Sequence, residues 1–176
     1  MHESKEYSKC VVGMSVYDPD LALLSLAIES IICQSFKDFL FVITIDGKIN
    51  RECREYFNQL QDDRIRFMFF DNNRGLATCL NWIISNFSFE YFIRMDSDDI
   101  CHLNRLEKTI SFLGNNPSVL VISCNYYLID QGGVKIGKSC IPSSIYYLKR
   151  SLCSGINVIP HPGVVVRNSF FDILRY

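Results

Sequence analysis

The feature that most constrains the fold of this chain is a regular alternation of short apolar runs with segments of helical periodicity. The apolar runs, which are rich in β-branched and aromatic residues, predict strands at 10–17, 39–45, 64–70 and 90–95. Apolar residues at helical spacing predict helices at 19–34, 50–60, 75–87 and 102–116. Because alternating strands and helices build a mainly parallel sheet through right-handed crossovers, we predict an α/β doubly wound domain.

The ends of some elements are marked by residues with known capping preferences. Asp18 stands before a proline, the pattern of an N-cap followed by proline at the first helical position. Gly114 is expected to close the helix over 102–116. Further along, residues 118–130 predict one buried strand, 163–167 another strand, and 142–152 either a helix or a lid.

Composition and charge narrow the class of protein. With 176 residues, 48% of them hydrophobic, the chain is long and apolar enough for one domain, which we expect to span 1–176. A formal net charge of −1 gives no basic field for nucleic acid, so no nucleic-acid partner is expected. The eight cysteines form no CxxC pair and are expected to be buried in a protein of the reducing cytoplasm. No apolar run approaches the ~20 residues of a membrane-spanning helix.

Polar residues follow each of the four predicted strands. Since the carboxyl ends of parallel strands meet at one edge of a sheet, that edge is the candidate site. The residues concerned are Ser15, Tyr17 and Asp18, then Asp46 and Gly47, then Asp71, Asn72, Asn73, Arg74 and Gly75, and finally Asp96, Ser97, Asp98 and Asp99.

The acidic run after the fourth strand allows two interpretations. Asp96 and Asp98, two residues apart, suit a hard divalent cation, whereas one or two of the acidic residues could instead cap the helix expected near His102. An EF-hand loop is excluded, because Ile100 and Cys101 stand where it needs an oxygen ligand and a glycine.

The loop after the third strand and the end of the first strand also allow two interpretations each. Arg74 and Gly75 could hold a diphosphate, because arginine forks onto phosphate oxygens and glycine admits close approach, or they could form an ordinary turn. Tyr17 could stack on a base or be a common strand-end aromatic residue.

Taken together, several segments resemble the family 2 glycosyltransferases. They are "VVGMSVYD", "AIESIICQSFKDFLFVITIDG", "DDRIRFMFFDNNRGLATCLN", "EYFIRMDSDDICHLNRLEKTISFL" and "HPGVVVR", and they cover nearly the whole chain. The resemblance implies the GT-A fold, a three-layer α/β/α arrangement around a mainly parallel, mixed sheet. It also implies a nucleotide-sugar donor half at 8–130 and the start of an acceptor half at 131–176.

The resemblance assigns roles to residues at the candidate edge. It implies nucleotide contacts for Ser15, Tyr17, Asp46 and Arg74, although the family usually has two adjacent aspartates where this chain has Asp46 alone. The DxD motif maps onto Asp96 and Asp98. Asp98 is expected to bind Mn²⁺ or Mg²⁺ directly, and Asp96 to lie near both the ribose and the metal.

The later part of the chain matches the family less completely. His161 is expected on the acceptor side, and Asp172 does not match the position of the family's catalytic base. The resemblance implies that this base would come from a segment beyond Tyr176.

The expected function is metal-dependent transfer of a sugar from a nucleotide-diphosphate sugar, with a UDP-sugar favoured, to a glycan or lipid-linked acceptor. We expect inversion, a role in surface polysaccharide synthesis, and a cytoplasmic location that extends to the inner face of the membrane through peripheral association. The alternative is a nucleotide-sugar-binding remnant without turnover. A haloacid-dehalogenase-like phosphatase would carry its DxD on the first strand, and a nucleotidyltransferase would need glycine in "SVYDPD", so both are disfavoured.

Overall fold

The computed structural model describes residues 5–141 and 143–172 as a sequence of strands and helices. The strands are β1 (Glu6–Val16), β2 (Phe39–Asp46), β3 (Ile65–Phe70), β4 (Phe87–Met95), β5 (Val121–Ile122), β6 (Tyr127–Ile129), β7 (Lys135–Lys138) and β8 (Val165–Arg167). The α-helices are α1 (Leu21–Ile32), α2 (Arg51–Gln59), α3 (Leu76–Asn86), α4 (Arg105–Asn115) and α5 (Ile145–Cys153). Short 3₁₀ helices cover His161–Gly163 and Asn168–Asp172.

The main sheet has six strands in the order β3-β2-β1-β4-β8-β5. Strands β1 to β4 are mutually parallel, and β8 runs antiparallel between β4 and β5. The hairpin of β6 and β7 forms a separate two-stranded sheet. The predicted α/β fold with a mainly parallel, mixed sheet is therefore confirmed.

Helices cover both faces of this sheet and give it three layers. Helices α1, α2 and α4 contribute Leu24, Phe57 and Leu106 to the core on one face. Helix α3 contributes Leu80 and Ile83 to the core on the other face. All eight residues of β2 are buried, as expected for a strand covered on both sides.

The absence of a side chain at Gly13 of β1 leaves room for the ring of Phe92 in the neighbouring strand. A Cβ atom at Gly13 of β1 would lie 2.5 Å from Cζ of Phe92, a fully buried residue of β4. Any larger residue at position 13 would therefore displace the Phe92 ring.

Two predicted helix ends are wrong. The N-cap of α1 is Asp20, whose carboxylate accepts hydrogen bonds from the amides of Ala22 and Leu23. Asp18 has a φ of +44°, which does not suit an N-cap because that position requires extended backbone. Helix α4 begins at Arg105, with Asn104 at its N-cap, rather than near His102.

Three further expectations need correction. Residues 118–130 form β5 and β6, which belong to different sheets, rather than one buried strand. Gly114 lies inside α4, which continues to Asn115. Four cysteines are buried and Cys124 is half-buried, but Cys33, Cys140 and Cys153 are exposed.

Within the described residues, no helix has the length and apolar character needed to cross a bilayer.

Candidate active site

The predicted site residues follow strand ends at one edge of the sheet, and the strand order arranges them in space. Arg74 follows β3, Asp46 ends β2, Ser15 and Tyr17 lie at the end of β1, and Asp96 follows β4. Because the strands run in the order β3-β2-β1-β4, this edge spans three strand spacings, or about 14 Å. Tyr17 is 61% exposed, so its ring is available to a ligand.

Asp46 fastens the loop after β3 to the end of β2. The residue is only 2% exposed. One carboxylate oxygen accepts the amide of Arg74 at 2.7 Å and the other accepts the amide of Gly75 at 2.9 Å. Gly75 has a φ of +85°, a left-handed conformation that glycine adopts without strain, and α3 begins at the next residue. Asp46 therefore positions the start of α3 as well as the loop.

The same neighbourhood holds Arg74 and Cys79. The Arg74 guanidinium lies over the ring of Phe70, 4.4 Å from its centroid, although the side chain remains exposed. Burial raises the pKa of the Cys79 thiol, and the charge of Asp46 acts in the same direction. Helix α3 thus packs against one face of the sheet at β1 and β2.

Asp96, Asp98 and Asp99 form a cluster just after β4. One carboxylate oxygen of each lies within 4.8 Å of the others. The pKa of Asp99 is raised, first by desolvation of its carboxyl group and then by the charges of Asp96 and Asp98. None of the three occupies the N-cap of α4, which is Asn104, so the capping interpretation is wrong.

The cluster fits a divalent cation by the chemistry of its donors. It offers three carboxylate oxygens, the ligands that Mg²⁺ and Mn²⁺ prefer in proteins. Asp98 and Asp99 are exposed, which leaves room for oxygen atoms of a bound molecule to complete the coordination. Asp96 and Asp98 are therefore suited to hold the ion predicted from the sequence.

Two arginines that the sequence analysis did not single out adjoin this cluster. Arg94 of β4 is 3% exposed and forms an ion pair with Asp96. Arg105 of α4 donates to the carbonyl oxygen of Arg94 at 3.1 Å and to that of Pro162 at 2.8 Å. The one sequence signal was an arginine inside the otherwise apolar run "YFIRM".

His161 reaches the same edge from late in the chain. Strand β8 is antiparallel to β4, with Val165 opposite Ile93, so the residues just before β8 lie next to the end of β4. The pKa of His161 is lowered, first by desolvation and then by Arg94, while Asp96 acts in the opposite direction. The structure thus brings His161 into the electrostatic field of the acidic cluster.

Comparison with known proteins places the chain in a family. It belongs to glycosyl transferase family 2, whose model matches residues 12–172. An uncharacterised glycosyltransferase of Methanocaldococcus jannaschii is 29% identical and aligns with 94% of this chain and 58% of its own length. EpsE of Bacillus subtilis, also named as a glycosyltransferase, is 27% identical over 93% of this chain and 53% of its own length. The chain thus spans about half the length of these relatives.

Solved structures share the fold. Residues 1–349 of TarS of S. aureus in complex with UDP-GlcNAc superpose with a TM-score of 0.66 at 16% identity, covering 93% of this chain and 46% of that chain. The mannosyltransferase PcManGT of Pyrobaculum calidifontis, in complex with GDP-Man and Mn²⁺, gives a TM-score of 0.59 at 17% identity, covering 70% of this chain and 38% of that protein. The GT-A fold implied by the sequence is confirmed.

Proposed function

We propose that this chain is a metal-dependent glycosyltransferase domain that takes its sugar from a nucleotide-diphosphate sugar. The observation that carries the proposal is the three-carboxylate cluster at the end of β4, on the edge where ligands bind in open α/β sheets. Membership of glycosyl transferase family 2 supports it, and so do the neighbours solved with UDP-GlcNAc and with GDP-Man and Mn²⁺.

The predicted residues take roles that their positions support, and Asp46, which is buried and accepts two backbone amides, acts through the loop that it fastens. Asp98 and Asp96 hold Mn²⁺ or Mg²⁺, which stabilises negative charge on the departing diphosphate when it is bound. Arg74, on the loop that Asp46 fastens, faces the nucleotide with its guanidinium exposed. Tyr17 and Ser15 meet the base at the end of β1, and the exposed ring of Tyr17 is suited to stacking.

The remainder of the proposal concerns the acceptor. Residues 8–130 form the donor half and 131–176 begin the acceptor half, with His161 beside the acceptor. The proposed donor is a UDP-sugar, and the transfer inverts the anomeric configuration. The acceptor is a glycan or a lipid-linked saccharide, used in surface polysaccharide synthesis at the cytoplasmic face of a membrane. The resemblance of the whole motif set to the family supports these finer statements.

The first experiment is calorimetric titration with UDP, GDP and dTDP, each with and without Mn²⁺. We expect one nucleotide to bind in a metal-dependent way. Replacing Asp98 with alanine should lower the Mn²⁺-dependent affinity more than about 10-fold, the lower range for changes around metal sites. Asp38→Ala, a change at the opposite edge of the sheet, is the matched control and should bind as the wild type does.

Two results would contradict the proposal. Unchanged nucleotide binding in folded Asp98→Ala would show that Asp98 is not part of the binding site. If every nucleotide bound equally well without Mn²⁺, the proposed role of the metal would be wrong. Release of nucleoside diphosphate together with sugar transfer separates the enzyme from a remnant that binds its donor without turnover.

A further inference from the structure

Arg94 is a charged residue buried beneath the acidic cluster. The residue is 3% exposed and belongs to β4, between the buried residues Ile93 and Met95. One terminal nitrogen of the guanidinium forms the ion pair with Asp96. Its Nε and its other terminal nitrogen are buried without a hydrogen-bond partner. Asp96 is therefore the acidic partner that compensates this buried charge.

We propose that Arg94 is an internal counter-cation that competes with a divalent ion for Asp96, so that the ion binds weakly alone and tightly together with a diphosphate. The inference deepens the proposed function and rests on it. Arg94 is a positioning residue in this scheme, because it acts on the ion and the donor through the carboxylate of Asp96.

An ion that arrives alone meets an unfavourable charge balance. To use Asp96 fully, it must weaken the ion pair and leave a buried guanidinium uncompensated, which is costly in a protein interior. The ion also approaches two positive charges, those of Arg94 and of Arg105, whose guanidinium donates to the carbonyl oxygen of Arg94 at 3.1 Å. Three carboxylates therefore hold a free ion less tightly than their number suggests.

A diphosphate changes that balance because it brings negative charge to the same edge. Its oxygens complete the coordination of the ion and compensate the two arginines when Asp96 is shared with the metal. The ion and the diphosphate therefore favour each other's binding, and the coupling must be reciprocal. Arg94 converts a simple cation site into one that responds to the combined ion and nucleotide.

The experiment measures Mn²⁺ affinity with and without UDP in the wild type, Arg94→Met and Arg94→Lys, by calorimetry and by the electron paramagnetic resonance signal of free Mn²⁺. Arg94→Met should bind Mn²⁺ alone more tightly, and its ratio of affinities with and without UDP should fall by about fivefold or more, the lower end of ordinary couplings. Arg94→Lys keeps the charge and should behave as the wild type does. Thermal unfolding checks that each variant is folded, and Arg94→Gln replaces Arg94→Met if that variant is not.

The outcomes separate this inference from the proposed function. If the wild type binds no Mn²⁺ with UDP, GDP or dTDP, the proposed function fails and this inference fails with it; if GDP or dTDP is the nucleotide that binds, it replaces UDP in these measurements. If the wild type shows metal-dependent UDP binding but the uncharged variants bind Mn²⁺ alone no more tightly, only the role of Arg94 is overturned. Weaker Mn²⁺ binding in Arg94→Met would mean that the arginine supports the site rather than competing for it.

Discussion

The main framework, residues 6–122, and the excursion, residues 123–160, are held together by different forces. In the framework, every strand from β1 to β4 and every helix from α1 to α4 buries side chains. In the excursion, β6, β7 and α5 bury none. Its turns rely on local hydrogen bonds, such as those from the amides of Gly132 and Val134 to the carboxylate of Asp130. Hydrophobic burial thus determines the framework, and short-range polar contacts shape the excursion.

Two tyrosines give the strongest test of this difference. Tyr91 of β4 is 1% exposed and its ring lies under the Arg167 guanidinium, whereas Tyr147 of α5 is 58% exposed. Replacing Tyr91 with alanine should lower the free energy of unfolding by about 3–5 kcal/mol, as for other large buried aromatic residues. The matched change at Tyr147 should stay within about 0.5 kcal/mol. Urea denaturation measures both, and equal losses would contradict the comparison.

Two glycines of the framework test how tightly its sheet is packed. Gly13→Ala should cost about 1–3 kcal/mol, because the new methyl group would collide with the buried ring of Phe92. Gly114→Ala, in α4, meets no atom within 4 Å and should be neutral or stabilising by up to about 1 kcal/mol. If the two variants denatured at the same urea concentration, the close approach of Phe92 to position 13 would have no effect on the free energy of unfolding.

The Asp46 contacts test whether the framework controls the site loop. Asp46→Ala removes the acceptor for the amide of Arg74 and one of two acceptors for the amide of Gly75, which also donates to Asn73 Oδ1, and we expect a loss of about 1–3 kcal/mol in stability. Hydrogen exchange should show those two amides losing protection, the amide of Arg74 most. Asp71→Ala, an exposed residue of the same loop, should leave their exchange unchanged. Full protection in Asp46→Ala would show that the loop does not depend on this carboxylate.

The smallest expected effect comes from His161, where the excursion returns to the framework. Its folded-state pKa lies below the ordinary value of 6.5, so the unfolded chain binds the proton more readily. Above pH 6.5 His161 should therefore leave the free energy of unfolding undiminished. That free energy should decline as the pH falls from 6.5 toward the lower pKa of the folded state. His161→Gln should flatten this part of the profile of unfolding free energy against pH. A profile identical to that of the wild type would assign the dependence to other groups.

The same division explains how much of the fold could be predicted from the sequence. The strands and helices of the framework are predictable because their apolar periodicity is local and matches a face that is buried. The first and last residues of these elements are less predictable. Glu6, for example, extends β1 by pairing with Phe87, and the local sequence pattern does not reveal that contact. Where the framework passes into the excursion, residues 118–130 look like one strand, but β5 and β6 pair with different partners.

For the candidate site, spacing was informative where the residues lie close in sequence. Asp96, Asp98 and Asp99 cluster as their positions after one strand suggest. The contacts of Asp46 with Arg74 and Gly75 depend on β2 and β3 being neighbours, and the approach of His161 depends on β8 joining β4 in the antiparallel direction. These relations arise from strand order, which local patterns do not encode.

The pairing of Ile122 with Val165 has a consequence for how such proteins can diversify. The excursion leaves and re-enters the sheet at adjacent positions, so its ends stay together whatever its length. Because closing a longer loop adds little entropic cost, natural insertions or laboratory grafts between these anchor points can change the exposed surface of the excursion. The sheet edge that carries the acidic cluster would keep its geometry, so under the proposed function acceptor preference could change while donor binding stays the same.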